Sequence, residues 1–274
     1  MSILLELKGA SKRYDNGTLA LQDVDLAIGE REFVSFLGPS GCGKSTALRM
    51  IAGLSPITSG QINWPAATQA PAAQHRQSNS SLSKGLTTRA DPGKDISFVF
   101  QEPTLMPWTR VFDNVWLPLK LKGMGRAAAK PQVDAVLATV GLSQFAHVYP
   151  RELSGGMKMR VSIARAMVTE PRLLLMDEPF AALDEMTRFK LNNDTLALWQ
   201  AKQFTTIFVT HSVYESVYLS NRIIVMAARP GRVIADIAID EPYPRSDAFR
   251  TTPRYAQWCV QVSQALQKAG EHHG

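Results

Sequence analysis

The feature that most limits what this chain can fold into is the run Gly38-Pro39-Ser40-Gly41-Cys42-Gly43-Lys44-Ser45. It lies directly after the apolar stretch Phe33 to Leu37 and before Thr46 to Ala52. A short apolar run bounded by turn residues reads as a buried strand, and the segment after it as a helix, so the glycines fall at a strand-to-helix turn. In that setting glycines let successive backbone N–H groups curl around phosphate oxygens. The helix N-terminus adds the positive end of its dipole, and Lys44 adds a full charge. The Ser45 hydroxyl suits a Mg²⁺ ion shared with the phosphates. The spacing G-x-x-x-x-G-K-S between the right flanks rarely arises by chance. Gly38 to Thr46 are therefore the candidate ligands of a nucleotide's phosphate tail.

A second constellation lies far downstream. Leu173-Leu174-Leu175-Met176 is an apolar strand ending in Asp177 and Glu178, which sets both carboxylates at the carboxyl edge of a sheet, where α/β proteins bind ligands. Asp177 is expected to hold Mg²⁺, through water, and Glu178 to orient or deprotonate the water that attacks a γ-phosphate. Further apolar runs at Ile96 to Phe100, Thr206 to Val209 and Arg222 to Met226 alternate with helical patterns, which predicts a mainly parallel sheet covered by helices. Between Phe100 and Leu173 the pattern turns helical, at Ala127 to Val140 and Met157 to Val168. A helical subdomain over about Gln101 to Ala166 is expected within the α/β core.

At 274 residues and 45% apolar content the chain can bury one large core with a smaller inserted part. Residues Pro65 to Asp91 are rich in Ala, Gln, Ser, Thr and Pro, lack aromatics and show no period, so they are expected to form a surface insertion with no assigned role. Arg232 to Ile239 alternates as a strand does. Thr252-Pro253 then reads as an N-cap followed by proline at the first helical position. Tyr255, Trp258, Cys259, Val262 and Leu266 give the helix after it one apolar face.

Nothing near Met1 reads as a signal peptide, and no run approaches the roughly 18 apolar residues of a membrane-spanning helix. Two isolated cysteines, Cys42 and Cys259, suggest neither a disulfide framework nor a metal site and fit a reducing cytoplasm. The net charge of +6 reads as a solvated basic surface.

Leu153-Ser154-Gly155-Gly156-Met157, just before a helix and upstream of the two acids, resembles the signature sequence of ABC ATPases, with methionine where that family usually has glutamine. Other landmarks follow in the family's order. Tyr14 resembles the aromatic that stacks on adenine, Gln101 the lid glutamine that senses the γ-phosphate and Mg²⁺, Ala182-Leu183-Asp184 the dimer-contact loop and His211 the switch histidine. The resemblance spans nearly all of Leu4 to Arg232 apart from the insertion. It implies an α/β fold: a P-loop NTPase (RecA-like) core with a mainly parallel sheet, an antiparallel N-terminal β portion and an inserted α-helical subdomain. Residues 1–232 would be the ATPase domain and 233–274 a C-terminal extension.

The resemblance also implies ATP and Mg²⁺ as ligands, with Glu178, His211 and Gln101 as catalytic residues. Ser154, Gly155, Gly156 and Asp184 would serve a nucleotide sandwiched against a second ATPase subunit, expected to be another copy of the chain. Gln101-Glu-Pro-Thr-Leu-Met-Pro-Trp108, Val111 to Val115 and Arg229-Pro-Gly-Arg232 resemble importers of taurine, alkanesulfonates and nitrate. The implied partners are integral membrane permease subunits, met through Pro107 and Trp108, and indirectly a substrate-binding protein, at the cytoplasmic face of the cell membrane. The rival is an ABC-type ATPase working on nucleic acid. Such chains usually carry tandem ATPase units, coiled coils or zinc-binding cysteines, and this sequence has one phosphate loop, no heptads and no cysteine cluster, so no nucleic-acid partner is expected.

Overall fold

Two sheets carry the fold in a computed structural model that describes residues 2–65 and 96–271. The insertion expected over 65–91 lies outside the described residues except for Pro65. The chain opens with β1 (Ile3–Arg13) and β2 (Leu19–Gly29), an antiparallel pair. It runs through β3 (Phe33–Leu37) into α1 (Lys44–Ile51) and returns to β1 as β4 (Ser59–Asn63), closing a three-stranded sheet in the order β2-β1-β4. The larger sheet adds β5 (Ile96–Val99), β6 (Leu173–Asp177), β7 (Thr205–Thr210), β8 (Arg222–Ala227) and β9 (Arg232–Ala238). Its six strands lie in the order β5-β6-β7-β3-β8-β9. All neighbours are parallel except β9, which runs antiparallel to β8.

The central strands read as unbroken apolar runs because both faces are covered. Every residue of β3, β6 and β7 is buried. Their period of two still sorts side chains between layers. Phe33, Leu37, Leu174, Met176 and Phe208 enter a cluster with the helices. Val34, Phe36, Leu173, Leu175, Ile207 and Val209 enter a second one with α1 and the antiparallel sheet. Burying each such side chain contributes roughly 1.5–3 kcal/mol.

Between β5 and β6 the chain is helical, as expected: α2 (Val111–Leu121), α3 (Arg126–Thr139) and α4 (Gly155–Met167). After β6 come α5 (Glu185–Lys202) and, beyond β7, the short α6 (Val213–Leu219). The C-terminal helix α7 (Pro253–Glu271) starts where Thr252-Pro253 predicts. The Thr252 hydroxyl accepts from the Tyr255 N–H at 3.1 Å. Tyr255, Cys259, Val262 and Ala269 pack into the helical-side cluster. Among the described residues no helix is long and apolar enough to cross a membrane.

Candidate functional site

Strand order brings the chemistry together. The loop after β3, the two acids at the end of β6 and His211 after β7 all leave the same, carboxyl edge of the sheet, with β7 lying between β6 and β3. Gly38 must be glycine there, because a Cβ would sit 2.5 Å from the Met226 carbonyl oxygen and 2.7 Å from the Cys42 sulfur. Gly43, the N-cap of α1, has φ 90°, in the region that favours glycine. Lys44 is buried, and its ammonium donates to the carbonyls of Gly38 at 2.8 Å and Pro39 at 3.0 Å. The loop thus holds a charge among its own carbonyls, ready to exchange them for phosphate oxygens.

The Ser45 hydroxyl donates to Asp177 Oδ1 at 2.7 Å, across 132 residues of sequence. Asp177 is buried, and that burial raises its carboxyl above the ordinary value despite the Ser45 bond and the nearby Arg49 charge. Glu178 follows at φ 46°, a left-handed conformation unusual for a non-glycine residue and costing about 1–3 kcal/mol. Its N–H donates to the Val209 carbonyl at 3.1 Å, and its Oε2 lies 3.5 Å from His211 Nδ1. The carboxylate of this bent residue thus lies beside the first residue after β7.

A cleft of about 430 Å³ opens over the loop. Of the predicted residues, Tyr14, Ser40, Gly41, Gly43, Lys44, Ser45, Thr46 and Glu178 line it. The Tyr14 hydroxyl lies 3.2 Å from the Thr46 hydroxyl, which ties the aromatic to the start of α1, and Lys12 stands 5.3 Å from its ring centroid. Gly38, Pro39 and Cys42 shape the loop from behind and do not line the cleft. The sequence reading missed Arg229, which also lines it. Arg229 has φ 59°, and Gly231 just after it seats this turn on the phosphate loop, since a Cβ there would come within 2.2 Å of the Cys42 carbonyl oxygen. The available signal was Gly231 in Arg229-Pro-Gly-Arg232, a glycine that a close backbone approach requires.

The remaining predicted residues stand apart from this cleft. Ser154 caps α4, accepting from the Met157 N–H at 3.3 Å. Ser154 and Gly155 are exposed. A Cβ at Gly156 would lie 2.5 Å from Thr187 Cγ2, and one at Gly155 3.3 Å from Leu183, so the two glycines let α4 pack against the turn into α5. Asp184 caps α5 through the Thr187 N–H at 2.9 Å, and that bond holds its carboxyl below the usual range. Gln101 is exposed just beyond β5. Among the described residues lining the cleft, none of Gln101, Ser154, Gly155, Gly156, Asp184 and His211 appears. Trp108 is 74% exposed rather than filling the core. The buried Asn114 side chain holds its loop by accepting from the Met106 N–H at 2.8 Å and donating to the Thr109 hydroxyl at 2.9 Å.

Known proteins resemble this chain in sequence and fold. The ABC transporter family profile matches residues 21–181. The aliphatic sulfonates import ATP-binding protein of Bacillus licheniformis is 42% identical over 91% of this chain and 89% of its own length. The taurine import ATP-binding protein of Rhizobium johnstonii is 42% identical over 83% of this chain and 79% of its own. A solved dimeric ATP-binding cassette, in a post-hydrolysis state with ADP and Pi, superposes with a TM-score of 0.70 at 31% identity, covering 87% of this chain and 100% of that one. With a nucleotide-phosphate loop, a strand-end acid pair and a family match that spans both, this chain belongs to the ABC transporter family, as one of its ATP-binding, ATP-hydrolysing members.

Proposed function

We propose that the chain powers an importer of a small anion of the nitrate, sulfonate or taurine type, working from the cytoplasmic face of the cell membrane as a pair of identical subunits bound to a permease. The observation that carries the reading is the Ser45–Asp177 hydrogen bond at 2.7 Å. It joins the phosphate loop to the acid pair in one site. The import function is supported by the relatives named for sulfonate and taurine uptake. In this reading residues 1–232 form the ATPase domain, with its helical subdomain at 101–166, and 233–274 form the extension.

The residues fit Mg²⁺, a hard cation taken by oxygen donors and usually held by one or two carboxylates together with substrate phosphates. The Ser45 hydroxyl and the Asp177 carboxylate would hold it. Bound there, the ion would supply charge neutralisation to the phosphate tail. Lys44 and the backbone N–H groups of Gly41 to Ser45 grip the phosphate tail, and Tyr14 stacks on adenine. Glu178 orients the attacking water and accepts its proton. His211, beside that carboxylate, contacts the γ-phosphate. Gln101 senses the same phosphate and relays its presence to the helical subdomain, where exposed Trp108 and Pro107 meet the permease.

A single copy leaves the γ-phosphate open on one side. The first-turn N–H groups of α4, at Gly155 and Gly156, have no intrahelical partner, and the Ser154 hydroxyl is exposed beside them. Presented by a second copy, they supply the missing donors, and its Asp184 turn completes the contact. The test is the oligomeric state during turnover. Glu178→Gln with ATP should run as a dimer and the unaltered chain with ADP as a monomer. Full-rate hydrolysis by a strict monomer would end this reading. Uptake of labelled taurine or alkanesulfonate by vesicles holding the chain and its permease tests the cargo.

A further inference from the structure

The helix that follows His211 is too short to stand alone. α6 has seven residues, well under the roughly 12–15 that an isolated helix needs. Its N-terminus is capped locally: the Ser212 hydroxyl accepts from the Glu215 N–H at 3.2 Å, and the Thr210 hydroxyl donates to the Glu215 carboxylate at 2.5 Å. Its C-terminus is held from the far end of the sequence. Arg245 is 5% exposed, and its Nη1 lies within hydrogen-bond distance of the carbonyls of Val217 (2.9 Å), Tyr218 (3.1 Å) and Ser220 (2.9 Å). Leu219, the carbonyl left between them, accepts from the Tyr243 hydroxyl at 2.8 Å.

Four successive carbonyls that a helix end leaves unsatisfied thus face the segment Glu241-Pro-Tyr-Pro-Arg245, three of them sharing the two hydrogens of Arg245 Nη1 and the fourth taking the Tyr243 hydroxyl. A guanidinium also suits the negative end of the helix dipole. The hydrogen bonds that the Arg245 guanidinium donates go to backbone carbonyls, including that of Glu241 at 2.9 Å, and the Arg245 carbonyl accepts from the Tyr218 hydroxyl at 3.0 Å. Its charge is stacked 4.2 Å from the Tyr243 ring centroid, and that ring packs 4.9 Å from Trp199 of α5. The Tyr255 hydroxyl adds a bond to the Tyr214 carbonyl at 3.0 Å, in the first turn of α6.

We propose that Tyr243 and Arg245 are positioning residues for hydrolysis: by holding the C-terminus of α6 they fix the seat of His211 against Glu178, about 10 Å away along the helix. This rests on the reading of His211 as a residue that contacts the nucleotide. Neither residue touches the cleft, so ATP binding through the phosphate loop is independent of them, while the alignment that hydrolysis needs is not. The part of the extension that follows β9 is then a working part of the ATPase and more than a covering of the core.

The test uses the full-length chain with Tyr243→Phe, which removes one hydroxyl and keeps the ring, and Arg245→Met, which removes the donors. Amide hydrogen exchange over 211–219 should speed up in both. The kcat for ATP should fall about tenfold while KM stays within about twofold. In a His211→Ala background the same substitutions should lower the residual single-turnover rate no further. Unchanged exchange would overturn the grip, and unchanged kcat with faster exchange would overturn its consequence. A rate loss that multiplies in full with His211→Ala would show that the two residues act elsewhere. If Arg245→Met does not fold, Tyr243→Phe alone decides. A His211→Ala chain turning over at the unaltered rate would remove the role of His211 and this proposal with it. The exchange data tell that outcome from failure of the grip.

Discussion

The molecule carries two glycine-rich loops at helix N-termini, and they differ in how far each is enclosed. The phosphate loop before α1 is sunk at the edge of the central sheet under a cleft, with a buried lysine hydrogen-bonded to two of its own carbonyls. The loop before α4 exposes Ser154 and Gly155 at the helix N-terminus, with Gly156 buried behind them, and the run Leu153 to Met157 holds no cation. Both favour anions through helix-end geometry. Only the first lies under a cleft. A pocket with a full charge can bind a polyphosphate by itself, whereas an open helix end needs its ligand delivered by another surface. The loop that looks weaker in isolation is the one expected to make hydrolysis depend on a partner.

The comparison breaks or holds on a graded set of substitutions. Glu178→Gln removes the proton acceptor and keeps the size, so hydrolysis should drop by about a hundredfold or more while ATP binding stays. Gel filtration with ATP should then show an accumulated dimer. Lys44→Ala empties the enclosed loop of its charge. The loss should be about 2–5 kcal/mol, roughly thirtyfold or more in Kd for ATP, measured by calorimetry on the isolated chain. Ser154→Ala should leave that Kd unchanged and lower turnover by roughly ten- to a hundredfold, the worth of about 1.5–3 kcal/mol for one hydrogen bond to a charged phosphate. It should also lower stability by about 1 kcal/mol through the lost cap. If Ser154→Ala instead weakened ATP binding by the isolated chain, both loops would serve one copy's site and the contrast would fail.

How far the sequence reached follows the same physics. The buried parallel strands were legible because covering both faces demands unbroken apolar runs, and the phosphate loop because few backbones other than glycine can make its turn. Helix α2 was not foreseen. Val111, Phe112, Val115 and Leu119 have helical spacing, but Pro118 inside the helix hides it. β1 and β2 carry register shifts that blur their alternation. The 2.7 Å between Ser45 and Asp177 depends on the order β6-β7-β3, which local patterns do not encode. Arg229 and Arg245 escaped for a related reason. Each acts through backbone that only the fold brings near: Arg229 through the turn seated on the phosphate loop, Arg245 through the end of α6.

The smallest effect probes how far the enclosed loop is formed before any nucleotide arrives. Cys42 is fully buried in it, with its sulfur 3.7 Å from the Lys44 ammonium. A neighbouring lysine ordinarily draws a thiol toward thiolate and makes it reactive. Burial wins here, raising the Cys42 thiol above its ordinary 9.0 against the pull of Lys44. Cys259 is pushed up to about 11 by its own burial. Since the thiolate is the nucleophile, a raised value means little reactive form near neutrality and a steady gain as pH rises toward and past 9. Iodoacetamide labelling, read by peptide mass, should therefore be slow at both cysteines at pH 7 to 8 and keep climbing without a plateau below pH 9. Rapid labelling of Cys42 that levels off near neutrality would mean that the ammonium is not held by the Gly38 and Pro39 carbonyls. The loop would then be as open as the signature turn, and its advantage in holding ATP alone would have to come from the nucleotide's own arrival.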